Sequence, residues 1–153
     1  MSKFPIPSLK TTTANMGKVT VRIVLTNLED SLLVDRGILS PQEVRSLESD
    51  RAIVDTGATR LCLPAALVRQ LGLRFQRELN VKTAAGIRKG RLFRGAILRV
   101  EGRDGIFDCL ELPDGTDPLL GVIPLETLGL EPDLRRQQLR LLPMNEEETY
   151  ETA

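Results

Sequence analysis

The sequence predicts an all-β domain, mainly antiparallel, with one or two short helices. From Lys18 the chain alternates between apolar and polar side chains, which is the period of a half-buried strand. Two glycine-containing turns, at residues 83–86 and 101–105, are flanked by β-compatible runs and predict antiparallel hairpins. Two segments that run from a proline to a glycine, residues 64–72 and 124–129, predict the short helices.

Composition limits the chemistry that this domain can carry out. The 153 residues are 41% hydrophobic and 27% charged, which is typical of one globular domain. Because 21 basic residues balance 21 acidic ones, no overall field favours nucleic acid or an anionic membrane, and we expect neither as a partner. The chain has no histidine, so Ser-His and Cys-His nucleophile pairs and histidine metal sites are excluded. Carboxylate chemistry remains.

The two cysteines, Cys62 and Cys109, are too few for a zinc site or a disulfide scaffold. We interpret both as buried thiols, with redox control as the alternative for Cys62. We expect no metal and no cofactor. The first residues contain no apolar leader segment, and no run of about 18 apolar residues occurs, so we expect a cytoplasmic protein.

Three regions follow from composition along the chain. Residues 1–17 contain two prolines and a threonine run and predict a flexible N-terminal segment. Residues 144–153 carry four glutamates with few apolar partners and predict a flexible acidic tail. The domain is therefore expected over residues 18–143.

The first half of the domain is predicted to contain one strand and one inserted lobe. The strand covers residues 18–26, with Val19, Val21, Ile23 and Leu25 on the buried face. Residues 28–50 break the β rhythm and predict the lobe. Within it, Ser40-Pro41-Gln42-Glu43 has the form of a capping box and predicts a short helix toward Leu47.

A strand, a tight glycine turn and a short helix then occur twice. The first copy is the apolar run 52–54, the turn Asp55-Thr56-Gly57, a short strand at 61–63 and the helix from Pro64 to Gly72. The second copy is Leu119-Leu120-Gly121 with a helix from Pro124 to Gly129. The turn glycines are 121 − 57 = 64 residues apart, which indicates a weak internal duplication.

Asp55-Thr56-Gly57-Ala58, after two apolar residues, resembles the active-site signature of the aspartic proteases. Size and layout from about Lys18 to Leu142 resemble the retropepsin branch, and come closer to its bacterial and ubiquitin-shuttle relatives than to the retroviral enzymes. That branch has a flap hairpin in mid-chain and a second apolar-apolar-glycine turn. Segments 83–86 and 119–121 match these two features in order.

The resemblance implies a retropepsin-like acid-protease barrel and a role for each matching residue. Asp55 is the expected catalytic residue. Thr56, Gly57 and Ala58 are expected to support the active-site loop. The expected flap residues, which close over substrate, are Ala84, Ala85 and Gly86. The expected second glycine turn is Leu119, Leu120 and Gly121.

The implied function is that of an aspartic endopeptidase, which hydrolyses peptides or unfolded proteins with a water activated by two aspartates. Because the chain holds one Asp-Thr-Gly triplet, the resemblance implies a homodimer that shares one site. The family's dimers join their chain termini in a shared sheet, and the segments 19–25 and 139–142 are the candidates here.

Three departures from the retroviral pattern favour an alternative function. Val122-Ile123-Pro124 stands where those enzymes have an arginine or similar polar group, Gly86 is the one glycine in the flap turn, and the lobe has no counterpart. The alternative is a non-proteolytic module of the same fold that binds an extended peptide by strand addition. At the motif itself, the alternative is an Asx-type turn of structural use alone. The basic residues between positions 88 and 103 are interpreted as a solvated hairpin face.

Overall fold

The computed structural model describes residues 18–143, and the two predicted flexible segments, 1–17 and 144–153, lie outside the described residues. The strands of the described part are β1 Val19–Asn27, β2 Ser46–Val54, β3 Leu61–Pro64, β4 Arg74–Thr83, β5 Gly86–Val100, β6 Arg103–Leu112, β7 Leu119–Leu120, β8 Leu130–Asp133 and β9 Gln138–Leu141. Its α-helices are α1 Leu28–Asp35, α2 Ala65–Leu71 and α3 Val122–Thr127, and Pro41–Glu43 forms a single 3₁₀ turn.

Six strands close into a barrel. The strand order is β1-β2-β7-β3-β6-β5, and β1 pairs again with β5, so the ring has no open edge. Only the pairs β2–β7 and β3–β6 are parallel among the described strands. The prediction of an all-β, mainly antiparallel fold is confirmed, although the described residues form three α-helices rather than one or two.

The 15-residue strand β5 closes the barrel because it changes partner at Gly95. Up to Arg94, one edge of β5 pairs with β4, and from Ala96 the same edge pairs with β1. Gly95 lies between the two pairings with a φ of +89°, a conformation that glycine adopts without a steric penalty. The distal ends of β4 and β5 therefore leave the barrel as a free hairpin.

The core lies inside the ring. The alternating residues of β1 predicted to face inward, Val19, Val21, Ile23 and Leu25, are all buried. The largest fully buried side chains come from several strands and from the helix α2, and they include Leu61, Leu63, Leu71, Leu92, Leu98 and Leu120. Both predicted hairpins are present, as the β4–β5 and β5–β6 pairs.

The inserted lobe is shorter than predicted. The Ser40 N–H donates to the Glu43 carboxylate at 3.0 Å, as expected of a capping box, but the helix ends after one turn. The predicted helix toward Leu47 is wrong: Leu47 is a buried strand residue of β2 that pairs with Leu25. Strand pairing with β1 outweighs the local helix signal, and the lobe ends at residue 45.

The helix α1 was not predicted from the sequence. Its apolar side chains make no continuous buried stripe, and Asp30 is its one buried residue. Asn27 caps it by accepting a bond from the Asp30 N–H at 2.9 Å. The helix therefore forms from its cap and its contacts with the barrel rather than from apolar periodicity.

The two predicted Pro-to-Gly helices are present with shifted starts. Pro64 is the N-cap of α2, and Gly72 ends that helix in the left-handed conformation. The helix α3 begins at Val122, so Pro124 is its third residue. Proline is tolerated there because the first-turn N–H groups of a helix have no intrahelical acceptor.

Candidate active site

The loop of residues 55–60, which we call the Asp55 loop, follows β2 at the point where the ends of β2 and β7 lie side by side. Ile53 and Val54 pair in parallel with Leu119 and Leu120 of β7. The Asp55 N–H donates to the Leu120 carbonyl at 2.9 Å, and the Ala58 N–H donates back to the Asp55 carbonyl at 3.1 Å. The two copies of the predicted duplication are therefore neighbours in space, and their glycine turns lie side by side and are joined by hydrogen bonds.

The carboxylate of Asp55 is held by its own loop. The Gly57 N–H donates to its Oδ1 at 2.8 Å, and the side chain is half-buried. A β-carbon on Gly57 would lie 3.1 Å from that oxygen, so glycine gives the N–H unhindered access. No residue between 18 and 143 donates a hydrogen bond to the second oxygen, Oδ2. This oxygen is available to a water molecule or to another carboxyl group.

Gly121 is required for packing rather than for its backbone conformation. Its φ of −86° is open to any residue. A β-carbon there would lie 2.6 Å from the carbonyl oxygens of both Ala58 and Arg60. Its N–H donates to the Arg60 carbonyl at 3.1 Å. The second glycine turn thus packs directly on the Asp55 loop with no space for a side chain.

The first turn of α3 forms backbone hydrogen bonds with the Asp55 loop. The N–H groups of Val122 and Ile123 donate to the carbonyls of Ala58 and Thr59, each at 2.9 Å. These helix N–H groups would otherwise lack an acceptor. The retroviral arginine is absent here, and backbone hydrogen bonds join the helix to the loop.

A cavity of about 610 Å³ lies between the Asp55 loop and the free hairpin of β4 and β5. Three parts of the chain line it: the loop with the start of β3, the hairpin, and the ends of β6 and β7. Its lining residues are Asp55, Gly57, Ala58, Thr59, Arg60, Cys62, Leu79, Asn80, Val81, Lys82, Thr83, Ala84, Leu110, Leu112 and Leu119. A cavity of this volume lies in the size range of ligand-binding clefts rather than of single-ion sites.

The structure distributes the sequence-predicted site residues over several environments. Ala84 lines the cavity opposite Asp55, but Ala85 and Gly86 do not. Leu119 lines the cavity, whereas Leu120 is a core residue. Thr56 points to a different, second cavity.

The geometry of the turn between β4 and β5 accounts for the residues found there. Ala84 and Ala85 link Thr83 to its strand partner Gly86, and the Thr83 hydroxyl donates to the Gly86 carbonyl at 2.7 Å. Gly86 has a φ of +105°, and nothing lies within 4 Å of a β-carbon built on it. Only the backbone conformation requires glycine there. We call residues 79–90 the flap hairpin.

The second cavity, of about 340 Å³, lies on the other side of the Asp55 loop. Its lining comes from the loop, the helix α3 and the β8–β9 hairpin, and consists of Thr56, Val122, Leu125, Glu126, Gly129, Leu130, Glu131, Pro132 and Leu142. Near it, Ile123 and Leu141 are 40% and 42% exposed. This part of the surface is concave and rich in apolar side chains.

Both cysteines are buried free thiols, as interpreted from the sequence. Burial, together with the nearby Asp55 charge, raises the pKa of the Cys62 thiol to about 11. Burial also raises the pKa of Cys109. A raised pKa disfavours the reactive thiolate, which argues against redox control at Cys62. Within the described part of the chain, no three His, Cys, Asp or Glu side chains are placed to hold a metal ion.

Sequence reasoning missed the charged residues of the cavity wall. Arg60 and Lys82 both line it, but both lie outside the motif, which ends at Ala58. Strand alternation could not have found Lys82, because it places Leu79, Val81 and Thr83 on one face of β4 and Lys82 on the other. Arg60 lies in an irregular loop whose side-chain directions follow no such period.

A family model described as "gag-polyprotein putative aspartyl protease" matches residues 48–127. The matched region runs from within β2 to the end of α3, and it contains the Asp55 loop, the flap hairpin and the second glycine turn. The chain belongs to this aspartyl protease family. No curated protein matches the sequence.

Membership of the gag-type aspartyl protease family supports an aspartic protease function in general terms, and the expected retropepsin-like fold is confirmed. The family match covers about half of the chain, and β1, the lobe, the first two residues of β2 and the β8–β9 hairpin lie outside it. None of the helices between residues 18 and 143 has the length and apolar character to cross a bilayer.

Proposed function

We propose that this protein is an aspartic endopeptidase whose catalytic residue is Asp55. The observation that carries the proposal is the position of this carboxylate: one oxygen is held by its own loop, and the side chain lines a cavity under the flap hairpin. The family match supports the same function.

Peptide hydrolysis requires a base that activates water and an acid that protonates the leaving nitrogen. In a chain without histidine, two adjacent carboxyl groups can supply both functions if they share one proton. Like charges about 3 Å apart cannot both ionise readily, which is the known arrangement in aspartic proteases. In the proposed mechanism the ionised carboxyl takes a proton from water while the protonated one polarises the peptide carbonyl and later donates to nitrogen.

The second carboxyl group comes from a second copy of the chain. Each chain contributes one Asp-Thr-Gly, and within the described part of the chain no other carboxylate lines the cavity with Asp55. A symmetric homodimer that places both Asp55 residues at the two-fold axis completes the site. Dimerisation and catalysis are then linked.

The surface beside Thr56 supports this dimer. The concave face formed by α3 and the β8–β9 hairpin adjoins the Asp55 loop and exposes Ile123 and Leu141. The terminal segments named from the family pattern both have partners in their own chain. The segment 19–25 belongs to the barrel strand β1, which pairs with β2 and β5, and β9 pairs with β8. We therefore place the dimer contact on the outer faces of α3 and the β8–β9 hairpin rather than on β1.

The substrate is an extended peptide or an unfolded protein segment. It would lie in the cavity between the Asp55 loop and the flap hairpin, with Ala84 over it. The free backbone edge of this hairpin can pair with an extended chain. Thr56, Gly57 and Ala58 maintain the loop, and Gly121 keeps the second turn packed against it.

The test is hydrolysis of unfolded casein by the purified protein between pH 3 and pH 8, with and without a statine-type transition-state analogue. The Asp55→Asn variant should lose at least about a hundredfold in rate, because an amide neither accepts the proton nor shares it. Sedimentation of the same samples should show an unchanged dimer. Equal hydrolysis by the variant would refute the role of Asp55, and peptide binding by a wild-type protein that hydrolyses nothing would favour the non-proteolytic module.

A further inference from the structure

The cavity under the flap hairpin is positively charged. Among residues 18–143, Asp55 is the one carboxylate in its lining, whereas Arg60 and Lys82 are both there. The flap hairpin adds Arg88 and Lys89, and residues 79–90 contain no acidic residue. Because the whole chain has no net charge, this concentration is a local feature of the cleft.

Neither cavity cation has a partner in the described part of the chain. Residues 18–143 provide no ion pair and no hydrogen-bond acceptor for the side chains of Arg60 and Lys82. Of the arginines on β4 and β5, Arg74 binds Glu29 at 2.8 Å and Arg91 lies 3.5 Å from Glu111. Arg77, Arg88 and Arg94 also form no ion pair among residues 18–143, but they do not line the cavity. Arg60 is half-buried as a residue, and a bound carboxylate can supply the acceptor that its guanidinium lacks among residues 18–143.

We propose that Arg60 and Lys82 select peptides with acidic side chains on both sides of the scissile bond. This inference rests on the proposed function and names its substrate class. In the proposed dimer, each half of the cleft receives one copy of the two cations, so four positive charges surround a pair of aspartates that shares one proton. The leucine and valine residues of the lining suit apolar side chains at the centre of the peptide.

The test uses three synthetic peptides that differ only in carrying Glu, Gln or Lys on each side of a central apolar pair. The wild-type enzyme should cleave the Glu peptide with a kcat/KM about tenfold above that of the Gln peptide, the magnitude of one hydrogen-bonded charge pair. The Lys peptide should be the poorest substrate. Added salt should reduce the preference, because part of it is long-range attraction.

Charge reversal provides the sharper measurement. Arg60→Glu and Lys82→Glu should each reduce the Glu preference, and the double variant should prefer the Lys peptide. Lys82 is exposed, so its variant is expected to fold even where the variant of half-buried Arg60 does not. Arg36→Glu is the matched control, since it makes the same change of charge at an exposed arginine outside the cavity lining. It should keep the wild-type preference.

Binding separates this inference from the proposed function. Fluorescence anisotropy of the three labelled peptides with the Asp55→Asn protein reports recognition without hydrolysis. Preferential binding of the Glu peptide, with no hydrolysis by the wild type, would support the recognition and refute the protease. Cleavage of all three peptides at equal rates would support the protease and overturn the inference. Equal binding, no binding, or an unchanged preference in the reversed variants would also overturn it.

Discussion

Replacing Asp30 with asparagine should destabilise the domain, because this carboxylate joins the lobe to the barrel. Asp30 is 4% exposed and accepts three hydrogen bonds from Arg45: from the backbone N–H at 3.0 Å, Nε at 2.8 Å and Nη2 at 2.9 Å. The Arg45 guanidinium lies across Gly72, where a β-carbon would meet it at 1.9 Å. Asn27 completes the cluster by donating to the Leu71 carbonyl at 2.8 Å.

The expected loss follows from this geometry. An asparagine retains one acceptor oxygen and turns an NH₂ group toward donors of Arg45, so at least one bond becomes a donor–donor contact. Removing one member of a buried ion pair costs about 3–5 kcal/mol, but the Arg45 side chain is 49% exposed and regains part of its hydration. We expect a loss of about 2–3 kcal/mol, or roughly 5–10 °C in Tm for a chain of this size.

The same pair determines a pH dependence. The hydrogen bonds from Arg45 hold the pKa of Asp30 below its ordinary value of 3.8. A carboxyl whose pKa is lower in the folded state contributes its full stability above the unfolded value and loses it as the pH falls through the folded one. The wild type should therefore lose stability below about pH 4, and the Asp30→Asn variant should lack this part of the loss.

Urea unfolding at pH 7 and pH 3, followed by circular dichroism, measures both effects. The matched control is Glu48→Gln, which breaks the ion pair of Glu48 with Arg22, whose side chains are 61% and 64% exposed. This control should leave the unfolding midpoint nearly unchanged. An equal loss in the two variants, or a difference between Asp30→Asn and wild type that is the same at both pH values, would refute the reasoning.

Three further predictions concern the site. Mixing equal amounts of wild type and Asp55→Asn under verified subunit exchange should reduce activity to about half that of the same amount of wild type alone. The reason is that only about a quarter of the dimers then retain both aspartates. Full activity would exclude a shared pair. Gly86→Val should reduce turnover more than Tm, because valine disfavours the positive φ of this flap residue but has room for its side chain. The control is Gly102→Val in the β5–β6 turn, where φ is +79°. It should cost similar stability and leave turnover unchanged. Gly121→Ala should cost about 1–3 kcal/mol and impair hydrolysis, since its β-carbon meets backbone atoms of the Asp55 loop; an unchanged urea midpoint would contradict this contact.

The sequence correctly predicted those strands, turns and helix ends that depend on patterns among neighbouring residues. The alternation from Lys18 identified β1, the turn 83–86 identified the β4–β5 hairpin, and Gly72 marked the end of α2. In each case the deciding interaction is between residues close in sequence, or is the burial of one face. The same reasoning failed at Leu47, where a capping box four residues earlier predicted a helix and pairing with Leu25 produced a strand.

The arrangement of the site depended on contacts between distant segments. The Asp55 motif was visible in the sequence, but the bonds from Val122 and Ile123 that hold its loop cross more than sixty residues. The cations of the cleft were missed for the same reason. Arg60 comes from the loop and Lys82 from the flap hairpin, and no sequence period relates them.

The sequence by itself determined the fold class, the position of the Asp-Thr-Gly turn and the absence of histidine chemistry, because these depend on residue type and short-range periodicity. The tertiary structure decided the barrel closure at Gly95, the need for glycine at position 121 and the placement of Arg60 and Lys82 in one cavity. Each of these depends on which distant backbone or side chain occupies the neighbouring space. Close packing sets such distances only when the whole ring of strands has formed.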